Sequence, residues 1–168
     1  MLTHEHTDHN WGVNALREHF TGVKLACSEE CNKRANKYNK IYFLFYFNRK
    51  DYKYEMALAE YVIHSDSDVL GWNGCQISFA MTPGHSRGSM CIYIDGMLCT
   101  GDTIMPYKPY FNGRDSNEDD WKSSIEKVLA TYPANTLVYP GYGEVLARGM
   151  EYCVLHVDGT RSSHLSWT

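Results

Sequence analysis

Four candidate metal ligands crowd the start of the chain: His4, His6, Asp8 and His9, in the run Thr3-His4-Glu5-His6-Thr7-Asp8-His9. In extended backbone, side chains two apart share a face, so His4 and His6 can aim the same way as two legs of one site. The spacing of Trp11, Val13, Leu16 and Phe20 predicts a helix directly after this run. A turn from strand into helix frees Asp8 and His9 from the strand's alternation, so they can serve a second ion close by. Imidazole and carboxylate are the donors that zinc takes in hydrolytic sites. A single His-x-His is usually a polar surface pair, but a solvated His-rich terminus is a poor account of four such residues in succession.

The 168 residues are enough for one domain with a core, and the pattern predicts a single domain over 1–168 with a loose tail from about residue 154. A net charge of -4 gives no basic footprint, which argues against nucleic acid as a main partner. No apolar run approaches a membrane span, and no charged-then-apolar leader is visible. The six cysteines (Cys27, Cys31, Cys75, Cys91, Cys99 and Cys153) contain no C-x-x-C pair, and several lie in apolar, strand-like runs. They are expected to be reduced, in a cytoplasmic protein.

Along the chain, Gly22 to Ala26 is a short strand candidate, and Ser28 caps a helix with Glu29 and Glu30 in its first turn, running towards Lys40. Residues 38–54 hold eight of the 23 aromatic residues: Tyr38, Tyr42, Phe43, Phe45, Tyr46, Phe47, Tyr52 and Tyr54. They suit either an apolar lid or dimer contact beside the site, or the packing of a helix against a sheet. The second is the stronger expectation, because aromatic side chains mostly serve cores.

Asp66 to Gly74 is turn-rich, and Cys75 to Met81 reads as a strand with Ile77, Phe79 and Met81 on one face. Asp95-Gly96 between Met90–Ile94 and Met97–Thr100 predicts a hairpin. Ser116 or Asn117 starts a helix whose buried stripe is Trp121, Ile125, Val128, Leu129 and Tyr132, and Pro133 stops it. Thr136 to Tyr139 is the last clear strand. Three strands thus end in chemistry: one at His85, one at Asp102 and one at the loop bearing Tyr142.

The runs Thr3 to His9, Thr82-Pro83-Gly84-His85-Ser86-Arg87-Gly88-Ser89, Thr100-Gly101-Asp102-Thr103 and Pro140-Gly141-Tyr142-Gly143-Glu144 resemble, in order and spacing, the metallo-β-lactamase superfamily, most of all its hydroxyacylglutathione hydrolase type. The resemblance runs from residue 3 to about 146. It implies an αββα fold, two mixed β-sheets sandwiched between helices with metals along one rim. It also implies that His4, His6 and His85 bind one metal, that Asp8 and His9 bind a second, and that Asp102 bridges them. Zinc is expected, one or two ions, although the same donors accept manganese or iron. The implied chemistry is attack of a metal-activated hydroxide on an ester-like carbonyl of a small-molecule substrate: thioester, lactone, ester or lactam. Asp8 would orient the hydroxide and shuttle its proton.

Two departures from the family pattern stand out. Tyr142 occupies a position where members normally have histidine, and a neutral phenol is a poor ligand. The second metal is therefore expected to be weaker or absent, with Tyr142 available to donate a hydrogen bond to substrate or to a developing oxyanion. The chain also begins almost at the first metal motif, without the strands that normally precede it. An uncovered sheet exposes apolar surface and free edges, so a homo-oligomer or a partner supplying the missing strands is expected. The competing expectation is a catalytically weak or inactive metal-binding member of the same fold, acting as an interaction or structural protein.

Overall fold

The computed structural model describes residues 1–48, 50, 54–111 and 114–146. Two short helices, α1 (Thr7–Asn10) and α2 (Val13–His19), lead into β1 (Ala26–Ser28), the long helix α3 (Glu29–Phe47) and β2 (Tyr61–Ile63). There follow β3 (Val69–Trp72), β4 (Cys75–Met81), β5 (Met90–Ile94), β6 (Met97–Gly101), α4 (Glu118–Thr131) and β7 (Leu137–Pro140). The tail expected from about 154 lies outside the described residues, as does Tyr52.

Strands β3 to β7 form one mixed sheet in chain order, antiparallel through β6 and parallel between β6 and β7. The second sheet, among the described residues, is the parallel pair β1–β2 rather than a mixed one. Strand alternation sorts the large sheet's side chains into two cores. Ala80, Cys91, Leu98 and Val138 meet Trp121, Ile125 and Val128 of α4 on one face. On the other face Ile77, Phe79, Met90 and Ile92 meet Ile63 of β2. A third cluster joins Cys27 of β1 to Cys31 and Ala35 of α3, with Leu2, Val13 and Met56. The layers therefore run α4, large sheet, small sheet, α3, which is the expected αββα sandwich.

Local chemistry sets the element ends. The Ser28 hydroxyl accepts from the Cys31 amide at 3.1 Å, and Glu29 and Glu30 fill the first turn of α3. That helix runs past the expected Lys40 to Phe47 and closes on Asn48 in the left-handed region. In α4 the Asn117 side chain accepts from the amides of Asp119 and Asp120. Asp95 and Gly96 both have positive φ, as the two-residue hairpin between β5 and β6 requires. Asn73 and Gly74 do the same between β3 and β4, so the turn-rich stretch also contains a strand.

The first residues are stitched between the two sheets. The Leu2 amide donates to Ala26 O at 2.9 Å, and the Met90 amide donates to Thr3 O at 2.8 Å. This lead-in presents His4 and His6 at the rim where β4, β6 and β7 end.

Two expectations are corrected. The helix expected over Trp11 to Phe20 is the shorter α2, set off from α1 by Trp11 and Gly12, and only Val13 of its apolar stripe is buried, while Trp11, Leu16 and Phe20 are exposed. The aromatic stretch is core only in part: Phe43 is buried, whereas Phe45 and Tyr46 are 77% and 75% exposed at the end of α3. A helix can bury one stripe, and this run is aromatic on more than one face.

Ile125 is 1% exposed at the centre of the α4 core, so Ile125→Ala is expected to cost about 2–5 kcal/mol in urea denaturation. Removing the cap with Asn117→Ala is expected to cost about 1 kcal/mol.

Candidate metal centre

Each candidate ligand is delivered by a different piece of backbone. His4 and His6 leave the lead-in, and the turn into α1 swings Asp8 and His9 round behind them. Asn10 fastens that turn, its side-chain amide donating to Glu5 O at 2.9 Å and to His6 O at 3.0 Å. His85 follows β4, Asp102 follows β6 and Tyr142 follows β7.

These side chains converge. One ligand atom from each of His4, His6 and His85 lies within 4.8 Å of the others, and the same holds for His4, His9 and Asp102. His6 Nδ1 stands 3.0 Å from His85 Nε2. Asp102 Oδ2 is 3.4 Å from His85 Nε2, and its Oδ1 is 3.3 Å from His9 Nε2. Asp8 sits at the exposed rim, with Oδ2 3.8 Å from His9 Nε2. The Tyr142 hydroxyl donates to that same Asp8 oxygen, and its ring meets the His9 ring edge-on at 5.5 Å.

The electrostatics favour uncharged imidazoles. Burial, reinforced by His6, His9 and His85, holds His4 well below the usual histidine range. Burial, with help from His6 and His9, takes His85 down to about 3. Burial also lowers His6, with Asp8 opposing it. Asp102 is pushed up to about 6 by burial, which His9 opposes and Asp8 reinforces. The hydroxyl of Tyr142 is raised by its hydrogen bond to Asp8 and by burial.

The donor set fits a cation. His4 Nε2, His9 Nε2 and Asp102 Oδ1, one atom from each residue of the second group, are buried with no hydrogen-bond partner. Buried polar atoms left unpaired cost about 1–3 kcal/mol each, and a shared cation would satisfy such a set of lone pairs together. The backbone comes in close to leave only that space. A Cβ at Gly141 would collide with Asp102 Oδ1 and His9 Cε1, and one at Gly101 with the Thr3 side chain.

Two supporting groups were not singled out in the sequence. Glu5 is fully buried. It accepts from the Ser86 hydroxyl at 2.8 Å and from the Gly88 amide at 3.3 Å. Ser28, the cap of α3, donates to Gly88 O at 2.6 Å, so the His85 loop is tied both to the His4–His6 run and to α3. Burial raises the Glu5 carboxyl, against the hydrogen bonds that lower it. Alternation was the available signal: if His4 and His6 face the rim, Glu5 faces inwards. Asp115 is the second group. It accepts from the Tyr38 hydroxyl at 2.9 Å and pairs with Arg34 at 3.0 Å and Arg87 at 3.3 Å, and the Tyr38 ring lies 4.9 Å from that of His6.

Because Glu5 joins two loops that carry candidate ligands, Glu5→Ala is expected to lower stability by about 2 kcal/mol and to weaken zinc binding. Glu5→Gln is expected to keep most of both, since Gln can still accept from Gly88 and pair with Ser86. Urea denaturation and chelator competition measure the two effects.

The sequence pattern of the metallo-β-lactamase superfamily matches residues 1–142. A probable polyketide biosynthesis zinc-dependent hydrolase of Bacillus velezensis is 32% identical over 58% of the chain and 45% of its own length. A hydroxyacylglutathione hydrolase of Aeromonas salmonicida is 28% identical over 83% of the chain, again 45% of its own length. The chain thus spans about half the length of these relatives. Among solved structures, the B3 metallo-β-lactamase BLEG-1 superposes with a TM-score of 0.74 at 24% identity, over 89% of this chain and 71% of that one. A metallo-β-lactamase from Pontibacter korlensis gives 0.70 at 18% identity, over 95% and 68%. With most of its length matched by the family pattern and its sandwich shared with these structures, the chain belongs to the metallo-β-lactamase superfamily.

Proposed function

We propose that the chain is a metal-dependent hydrolase acting on an ester-like carbonyl of a small molecule: a thioester, lactone, ester or lactam. The observation that carries this reading is the convergence of His4, His6 and His85, from sequence-distant loops, on one point beside a buried carboxylate. Relatives named as a zinc-dependent hydrolase and a hydroxyacylglutathione hydrolase support the reaction class and zinc as the metal.

In this reading His4, His6 and His85 would hold the cation, with Asp102 as a further ligand. The bound ion would supply a Lewis acid for the carbonyl and lower the pKa of a coordinated water. The protein's own groups do the rest. The buried ring of His4 and the low proton affinity of His85 keep their lone pairs available for the cation. Asp8, at the rim, is placed to orient a water by a hydrogen bond and to take its proton. Tyr142 steadies Asp8 through its hydroxyl.

The test is turnover of the zinc-loaded protein on a panel of thioesters, lactones, esters and lactams, before and after chelation. Chelation is expected to abolish turnover and added zinc to restore it. His85→Ala is expected to lose tight zinc. Asp8→Ala is expected to keep it while losing most of the rate, by about 10²-fold or more for a proton-transfer group. A folded, zinc-loaded protein inert on the whole panel would instead favour a metal-binding protein without hydrolase activity.

A further inference from the structure

We propose that Tyr142 makes this a one-cation centre. Its phenol supplies no strong cation ligand and its hydroxyl engages the Asp8 oxygen nearest His9, so one ion binds tightly and a second binds at least tenfold more weakly. The proposal rests on the metal-binding half of the reading above, but not on any turnover.

Three observations converge on it. The first concerns Asp8. A second ion beside His9 and Asp102 would draw on Asp8, the remaining carboxylate at that rim. Asp8 Oδ2, the oxygen nearest His9 Nε2 in the ion-pair geometry at 3.8 Å, is the atom that accepts from Tyr142. A phenol that keeps its proton is a donor and contributes no strong lone pair to a cation. Tyr142 therefore adds no strong ligand of its own and engages the Asp8 oxygen that stands nearest His9.

The second observation is that the backbone bearing Tyr142 is held from both sides. The Gly141 amide donates to Gly101 O at 2.8 Å, and the Gly141 backbone presses so closely on Asp102 and His9 that a Cβ would collide with both. On the far side Gly143, at φ +89°, lies against Pro106, where a Cβ would come within 2.7 Å of the ring. The His9 ring edge closes the third side. Swinging the phenol away from Asp8 has to work against the His9 ring contact as well as against the hydrogen bond.

The third observation is the overlap of the two ligand groups. His4, His6 and His85 form one, and His4, His9 and Asp102 form the other. They share His4, which lies between the ring of His9 at 4.2 Å and that of His85 at 5.0 Å. Among the described residues, the group around His9 and Asp102 reaches three converging donors by including His4, which the first group also uses. The two groups then compete for a single ion.

Breaking one hydrogen bond to a charged acceptor weakens a competing interaction by about ten- to a hundredfold, which sets the expected gap between the first and second ions. Tyr142 is 43% exposed, so its substitution leaves the cores intact.

The experiment titrates the metal-stripped full chain with Zn²⁺ by calorimetry and chelator competition, with Co²⁺ absorption as an independent count of ions. The parent is expected to take one tight ion, with the second at least tenfold weaker. Tyr142→Phe, which releases Asp8, is expected to tighten the second ion about tenfold. Tyr142→His, which also adds a donor, is expected to bring the count to two. Circular dichroism checks that both variants keep the parental fold. Two ions of matched affinity in the parent would overturn the proposal, as would a second-ion affinity that neither substitution changes. No tight ion at all would overturn both this and the hydrolase reading. One tight ion without turnover on any ester-like substrate would sink the hydrolase reading alone.

Discussion

Two aromatic nitrogens, His6 Nδ1 and His85 Nε2, stand 3.0 Å apart, and a buried carboxylate oxygen lies 3.4 Å from one of them. Gathering so many lone pairs is unfavourable unless something electron-poor sits among them. Burial strips away the water that would otherwise answer the need, and the same burial keeps protons off His4 and His85. The rest of the structure can be understood as the scaffold that tolerates this concentration of donors.

That scaffold acts through close backbone approach and buried polar ties. Gly88 sits where any side chain would strike Glu5 and Cys31, and Gly84 where it would strike Trp121. These contacts fix the His85 loop against α3 on one side and α4 on the other. Glu5 then links that loop to the run carrying His4 and His6, and Asp115 gathers Tyr38, Arg34 and Arg87 beside it. The ligands are positioned by groups that do not themselves face the centre, which is the usual arrangement around metal ligands.

What could be read in the sequence was local. The spacing of His4, His6, Asp8 and His9, the Asp95-Gly96 turn and the stripe of α4 each state their structure within a few residues. Strand β3 was missed even though Asn73-Gly74 carries the same turn chemistry as Asp95-Gly96, because Val69 to Trp72 is short and largely exposed and so shows no alternation. Glu5 was missed for the opposite reason: its partners Ser86 and Gly88 lie more than 80 residues away, and nothing near it in the chain announces them. The aromatic run at the end of α3 misled because hydrophobicity alone does not say which face of a helix will find a neighbour. Phe43 did, and Phe45 and Tyr46 did not.

The separation between the histidines has one further consequence. His6 and His85 are 79 positions apart, and the segment between them includes β1, α3, β2, β3 and β4. An ion gripping both would act as a cross-link, closing a long loop and removing chain entropy that the released polypeptide would otherwise regain. Mass action would add to this, because the unfolded chain cannot reassemble the same donors. A metal bound there would thus fasten the fold as well as serve the chemistry.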